Sequence, residues 1–346
     1  MLPIALGLIL FSFLITGVLV IPFINLLYSL KLTRRVEAPK KGKIPLFDRL
    51  HDGKAGTPVG GGILLIAAVS SLFAIVFPLV SYLGVFIETA YPPHMELFVI
   101  FFTFISFGFL GLSDDLLKIF GKGKAGSIGI WFGLSRRVKF TLQCILATIL
   151  SFVIYKFLGI HILHIPLLNQ VIDLGWLYVP FGAFVIVSFS NAFNITDGLD
   201  GLASGLLMIC LLAFIIIASE SLDTPLSVFL SLWIGALIAF LYFNVWPARI
   251  FLGDTGALSF GAMLGVMGLL TGSIVALVII GGLFVLEVAS SAVQILGWKI
   301  LKRPILPLAP LHHALLAIGW EEPKIVIRAW LAGLVLAILG LWLAFI

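Results

Sequence analysis

Charge is what this sequence has least of. Lys, Arg, Asp and Glu together make up 11% of its 346 residues, where a soluble domain runs near ~25%. Apolar residues make up 61%, more than a soluble fold of this length can hide. That excludes the two or three soluble domains that length alone would allow, and with them disorder and a free nucleic-acid binder. Cysteine is almost missing as well. Cys144 and Cys210 both fall inside apolar runs, which reads as two buried thiols and excludes a disulfide scaffold. No stretch is low in complexity and none repeats. The solvent for most of the chain is lipid.

A spanning helix needs about 20 mostly apolar residues. Ten runs qualify: 3–30, 59–80, 96–113, 139–158, 175–192, 201–219, 226–245, 256–271, 273–296 and 325–346. The eighth is short and Gly-rich. The first has neither a basic start nor a small-residue cleavage site, so it reads as an uncleaved span. Loops 31–58, 114–138, 191–200, 246–255 and 297–324 then share one side. Counting helix ends with them, they hold all of the 21 Lys and Arg except Lys156. Positive charge stays in the cytosol. The expectation is therefore a single all-α polytopic membrane domain over 1–346, with about ten transmembrane helices, both termini outside and its chemistry on the cytosolic face. The outward segment 160–180 is expected to form a small hairpin on the membrane, with interfacial histidines.

Four polar clusters stand at span ends on the basic side. Asp114-Asp115-Leu-Leu-Lys118 closes the third span. Lys118 is a helical neighbour of both acids, yet adjacent carboxylates repel and call for a counter-ion or a metal. Asn191-Ala-Phe-Asn194-Ile-Thr196-Asp197-Gly198-Leu199-Asp200-Gly201 offers donors and acceptors together, which suits a sugar or a base. Thr196 or Asp197 alone would explain only a helix cap. Around Asn244 to Gly256, Asp254 sits in a Gly-flanked turn that holds one carboxylate rigid and accessible, as a Mg²⁺ ligand requires, and Phe251 offers a stacking face. His312-His313 lack the further Cys or His of a zinc site, so phosphate contact or proton transfer fits better. Lys54 precedes the Gly60-Gly61-Gly62 run, whose small residues allow close helix packing. Glu287 and Gln294 share a face inside the ninth span, where a buried acid needs a partner. Carboxylates, lysines and Gly-rich turns on one membrane face suit phosphoryl transfer between a lipid and a nucleotide-activated donor.

The chain resembles the polyprenyl-phosphate N-acetylhexosamine-1-phosphate transferase superfamily, and within it the phospho-N-acetylmuramoyl-pentapeptide transferases. The resemblance runs from His51-x-x-Lys54-x-Gly56-Thr57-Pro58 to Arg328. It rests on Asp114-Asp115-x-x-Lys118, Asn194-x-x-Asp197-Gly-Leu-Asp200-Gly, Phe251-x-x-Asp254-x-Gly256, Glu287-x-x-Ser290-x-x-x-Gln294 and Pro310-Leu-His312-His313. Three features depart from the pattern. Ala314 stands where a third histidine is usual, Val59-Gly60 replaces the usual Thr-Met, and loop 116–133 is longer.

That resemblance implies transfer of phospho-N-acetylmuramoyl-pentapeptide from UDP-N-acetylmuramoyl-pentapeptide to undecaprenyl phosphate. It also implies Mg²⁺ dependence and a homodimer in the inner membrane. By motif, Asp254 would hold Mg²⁺. Asp114 would be the base or orienting carboxylate, with Asp115 beside it and His312 also catalytic. Gly198, Leu199, Asp200 and Phe251 would frame the uracil. Lys54, Thr57, Lys118, Lys139, Asn191, Asn194, Asp197, Asn244, Gln294 and His313 would line the diphosphate and sugar. Direct attack by the lipid phosphate is favoured over a covalent Asp intermediate because it needs no extra step. The nearest rival is an N-acetylglucosamine-1-phosphate transferase. A secondary transporter would place its ionisable groups nearer the bilayer midplane.

Overall fold

The computed structural model describes residues 2–34, 54–82, 87–120 and 133–346. His51 and most of loop 116–133 lie outside the described residues. Within them the chain forms α1 (Leu2–Ser29), α2 (Gly61–Tyr82), α3 (Pro93–Phe120), α4 (Arg136–Phe157), a hairpin of β1 (Ile162–Ile165) and β2 (Gln170–Asp173), then α5 (Tyr178–Thr196), α6 (Leu202–Glu220), α7 (Thr224–Asn244) and α8 (Gly253–Leu270). The rest of the chain forms α9 (Ile274–Ile280), α10 (Gly282–Ile300), α11 (Leu311–Ala317) and α12 (Glu322–Ala344). Ten helices among the described residues are long and apolar enough to cross a membrane. The expected hairpin is present, antiparallel, with Ile162 opposite Asp173. Both cysteines are free thiols, Cys210 buried as expected and Cys144 only half-buried.

The structure corrects three boundaries. The third span does not stop at residue 113, because α3 continues to Phe120 and carries Asp114, Asp115 and Lys118 in its last turns. Their charges look like a loop to hydropathy, but each finds a partner inside the protein. The ninth span, 273–296, is two helices broken at Gly281, where a side chain would press on the Phe189 ring. The sixth span begins at Leu202 with Gly201 as its cap, so neither Thr196 nor Asp197 caps it.

The short, Gly-rich eighth span is the centre of the bundle. α8 packs against α3 and α5, with α2 and α9 also against it and Trp233 of α7 on its Phe260 ring; 89% of its spanning window is buried. Its glycines explain the low hydropathy. Gly261 lies on the backbone of Phe189 and Ser190 in α5, and Gly62 of α2 lies on the backbone of Gly256, where a side chain on Gly261 or Gly62 would overlap the neighbour. Ser259 Oγ donates to the Phe104 carbonyl of α3 at 2.6 Å. Close backbone approach of this kind replaces the hydrophobic drive that lipid removes. By contrast α1 and α10 are only 22% and 17% buried and present Leu, Ile and Phe outward.

Candidate active site

Helix ends and loops that are far apart in sequence meet at one end of this bundle. The segment before α2 is zipped to the segment before α8. Phe251 N donates to the Pro58 carbonyl at 2.9 Å, and Gly60 and Gly61 N donate back to Phe251 O at 3.1 and 2.8 Å. The first N–H groups of α2 are satisfied in this way by another loop. Asn244 Nδ2 donates to Ile250 O at 2.9 Å and its Oδ1 accepts from Ser204, which fixes the turn between α7 and α8.

Four charged groups form the centre. Lys118 Nζ lies 3.0 Å from Asp114 Oδ2 and 2.8 Å from Asp254 Oδ2. Lys139, at the start of α4, lies 3.0 Å from the same Asp114 oxygen and also pairs with Asp254 Oδ2. Two ammoniums thus bridge two carboxylates drawn from α3 and α8. Asp114 Oδ1 also accepts from Leu134 N at 2.6 Å, so little of Asp114 is accessible. Asp254 keeps 15% of its side chain open against 3% for Asp114.

Asp115 does something different from its neighbour. Its Oδ1 accepts from Asp254 N at 2.9 Å, and its Oδ2 accepts from Thr255 N at 2.9 Å and Thr255 Oγ1 at 2.8 Å. Both oxygens are consumed in capping the N-terminus of α8. Gly253 just before it has φ +75°, and a side chain there would meet the Asp115 carboxylate. Asp115 thus fixes the backbone at Asp254 and Thr255, which is where the structure places this expected site residue.

Asp197 ends α5, half-buried. Its carboxyl is pushed up from 3.8 to about 7, first by burial and then by the nearby charge of Asp254, against the pull of Lys54. Asp114, Asp115, Asp197 and Asp254 stand against Lys118 and Lys139, so the site carries an excess of negative charge. Among the described residues no three acids, histidines or cysteines converge into a cage. Asp254, the accessible carboxylate of the quartet, in an acid-rich setting fits Mg²⁺, which takes one or two carboxylates and leaves its other positions to water and phosphate.

A second network joins Lys54, Asp200 and Glu322. Lys54 Nζ is 2.6 Å from Asp200 Oδ1 and 2.6 Å from Glu322 Oε1. Asp200 N donates to the same Glu322 oxygen at 2.6 Å, and Asp200 Oδ2 accepts from Ala248 N at 2.9 Å. Sequence reading singled out Lys54 and Asp200 and missed Glu322, whose Glu-Glu-Pro context signals only a helix start. His312 is buried, with Nδ1 3.0 Å from Glu287 Oε2. That carboxylate also faces His312 N at 3.2 and 3.3 Å. Glu287, the acid inside the ninth span, has its partner here. His312 Nε2 faces Gly198, where a side chain would overlap it. His313 packs on His312 with ring centroids 4.1 Å apart.

Other expected contacts turn inward. Gln294 Nε2 donates to Leu306 O at 3.1 Å, and its Oε1 accepts from Ile305 and Leu306 N at 3.1 and 2.9 Å. Asn191 Nδ2 donates to Gln143 Oε1 and Val187 O, both at 2.8 Å. With Asn244, these amides hold backbone and helices rather than line an opening. Asn194 is half-buried one turn before Asp197, Thr57 is half-buried beside the Pro58 bridge, and Leu199 is buried. The Phe251 ring is partly exposed with the Arg34 guanidinium 5.9 Å from its centroid.

Residues 97–272, which include Asp114 through Asp254, match the model of glycosyl transferase family 4. A Geobacillus kaustophilus protein named phospho-N-acetylmuramoyl-pentapeptide-transferase is 35% identical over 96% of this chain and 95% of its own length. Proteins of the same name from Borrelia hermsii and Bacillus pumilus are 37% and 35% identical, over 92% and 97% of this chain and 89% and 96% of their own. Identity at that level over nearly the whole length places the chain in the phospho-N-acetylmuramoyl-pentapeptide-transferase family.

Proposed function

We propose that this chain transfers phospho-N-acetylmuramoyl-pentapeptide from UDP-N-acetylmuramoyl-pentapeptide to undecaprenyl phosphate, giving the lipid-linked diphosphate sugar (lipid I) and UMP. The relatives' name supplies the reaction, and the observation that carries it here is the quartet of Asp114, Lys118, Lys139 and Asp254. An oxygen of the lipid phosphate attacks the sugar-bearing phosphorus of the donor, and the bond to UMP breaks. Lys118 and Lys139 offset the repulsion of two approaching anions, in a setting where such charges count for more than in water. Asp114 sits against both lysines and so orients the pair that receives the lipid headgroup. Asp254 would hold Mg²⁺ together with the donor diphosphate. Bound there, the ion supplies Lewis-acid polarisation of the transferred phosphoryl group.

The same proposal places the site on the cytosolic face of the inner membrane, with both termini outside and two copies per assembly. The lopsided distribution of Lys and Arg supports the orientation. Purified protein with undecaprenyl phosphate and Mg²⁺ should release UMP from UDP-N-acetylmuramoyl-pentapeptide and not from UDP-N-acetylglucosamine. Release only from the second donor would make the protein an N-acetylglucosamine-1-phosphate transferase, and release from neither would overturn the reading.

A further inference from the structure

α12 contributes no residue to the charged quartet, yet it grips the turn between α5 and α6 at two points. Glu322, in its first turn, accepts from Asp200 N at 2.6 Å. Two turns on, Trp330 Nε1 donates to Gly201 O at 3.2 Å. The Trp330 ring fills the space a side chain at Gly205 would need, so α12 cannot slide relative to that turn without a clash. The Glu322 oxygen that holds Asp200 N also holds Lys54 Nζ at 2.6 Å. One carboxylate oxygen therefore fixes a backbone amide of the turn and the side chain of a residue that arrives from before α2.

The charge balance gives this arrangement a direction. Lys54 lies between two carboxylates, with side chains 11%, 4% and 13% exposed for Lys54, Asp200 and Glu322. If Asp200 Oδ1 turns to a ligand, Glu322 still neutralises Lys54 and keeps it in place. Without Glu322, Lys54 and Asp200 would satisfy each other, and the turn amide would lose its acceptor. A carboxylate at the start of α12 is also favoured by the helix dipole, which adds to the hold of Lys54 and Asp200 N on Glu322.

We propose that Glu322 is a positioning residue for the nucleotide end of the donor. It holds Lys54 and the Gly198–Gly201 turn at the spacing that receives the base, and it acts on donor affinity rather than on the phosphoryl-transfer step. This rests on the donor reading above. It separates Glu322 from Asp114, Lys118, Lys139 and Asp254, which act on the reacting phosphates.

The test compares wild type with Glu322→Ala and Glu322→Gln in steady-state turnover and in UMP binding by calorimetry. Glu322→Ala should raise KM for the UDP-sugar about 10-fold or more and weaken UMP binding by a similar factor. Its kcat should stay within about threefold and KM for undecaprenyl phosphate should not change. Glu322→Gln keeps an acceptor oxygen for Lys54 and Asp200 N and loses only the charge, so it should fold normally and show a smaller change in the same direction. The inference fails if wild type binds UMP and both variants bind it equally well, or if kcat falls while donor KM stays fixed. Failure of the donor reading shows differently, since wild type itself would then bind no UMP.

Discussion

Replacing Asp115 with Asn tests the division of labour between two adjacent carboxylates. Three donors converge on Asp115: the N–H groups of Asp254 and Thr255 and the Thr255 hydroxyl. An Asn can offer its single carbonyl oxygen to the Thr255 pair, but its NH₂ then faces the Asp254 N–H, donor against donor. One charge-assisted bond, worth about 1.5–3 kcal/mol, is lost, and a buried N–H is left without a partner at about 1–3 kcal/mol. Removing a negative charge beside Asp254 offsets part of this, so the net loss should be about 2–4 kcal/mol. The loss falls at the N-terminus of α8, where it displaces Asp254. A misplacement near 1 Å at a reacting centre costs about 10²-fold in rate. Asp115→Asn should therefore lower the melting temperature in detergent and lower kcat on that order, while the acid limb of the pH–rate profile stays where it is. If Asp115 were instead a proton acceptor in the reaction, the acid limb would vanish and the melting temperature would hold, and that pair of results would refute the capping argument.

Three further expectations follow from the same geometry. Asp254→Asn leaves both lysines to Asp114 alone and removes the accessible carboxylate of the quartet, so turnover should fall on the order of 10²-fold or more at any Mg²⁺ concentration in the assay; near-normal turnover would remove Asp254 from the site. Asp197 ionises only near pH 7 in the folded protein but near 3.8 when exposed, so its ionisation costs the fold stability that drains away between about pH 4 and pH 7. In EDTA, Asp197→Asn should therefore raise the melting temperature by an amount that grows over that range and levels off above it, worth about 2–4 kcal/mol at pH 8; equal effects at pH 5 and pH 8 would contradict this. Gly198→Ala places a methyl group against His312 Nε2 and should cut turnover at least tenfold, with full recovery of protein in the membrane fraction as the control.

The number of spans was legible because an apolar run of about 20 residues has few other uses. Helix ends were not, since charges in the last turns of α3 and an unbroken apolar run across Gly281 both mislead hydropathy. Within the site, the aspartates, lysines and histidines announced themselves by their clustering at span ends. Lys139 was the least secure of these in sequence, with a long loop before it, yet it pairs with both carboxylates of the quartet. Amides were harder. Asn191, Asn244 and Gln294 have the same chemistry whether they face a ligand or a carbonyl, and only the fold shows that they bind protein. Glu322 went unassigned for the opposite reason: Glu321-Glu322-Pro323 reads as a helix start, and its importance comes from Lys54 and Asp200, which chain topology brings to it.

The near-complete enclosure of α8 has a consequence for how the enzyme meets different membranes. A helix in contact with lipid tilts or shifts when the bilayer thickens or thins, to keep its apolar length matched. In this bundle that adjustment falls on α1, α10 and the other peripheral helices, whose outer faces touch the acyl chains. α8 meets only protein, and its 18 residues, about 27 Å of helix, answer to the glycine contacts with α5 and α2. The depth of Asp254 is thereby set by packing inside the bundle and insulated from hydrophobic mismatch, so this carboxylate keeps the same place against α3 and α5 in a thin membrane as in a thick one.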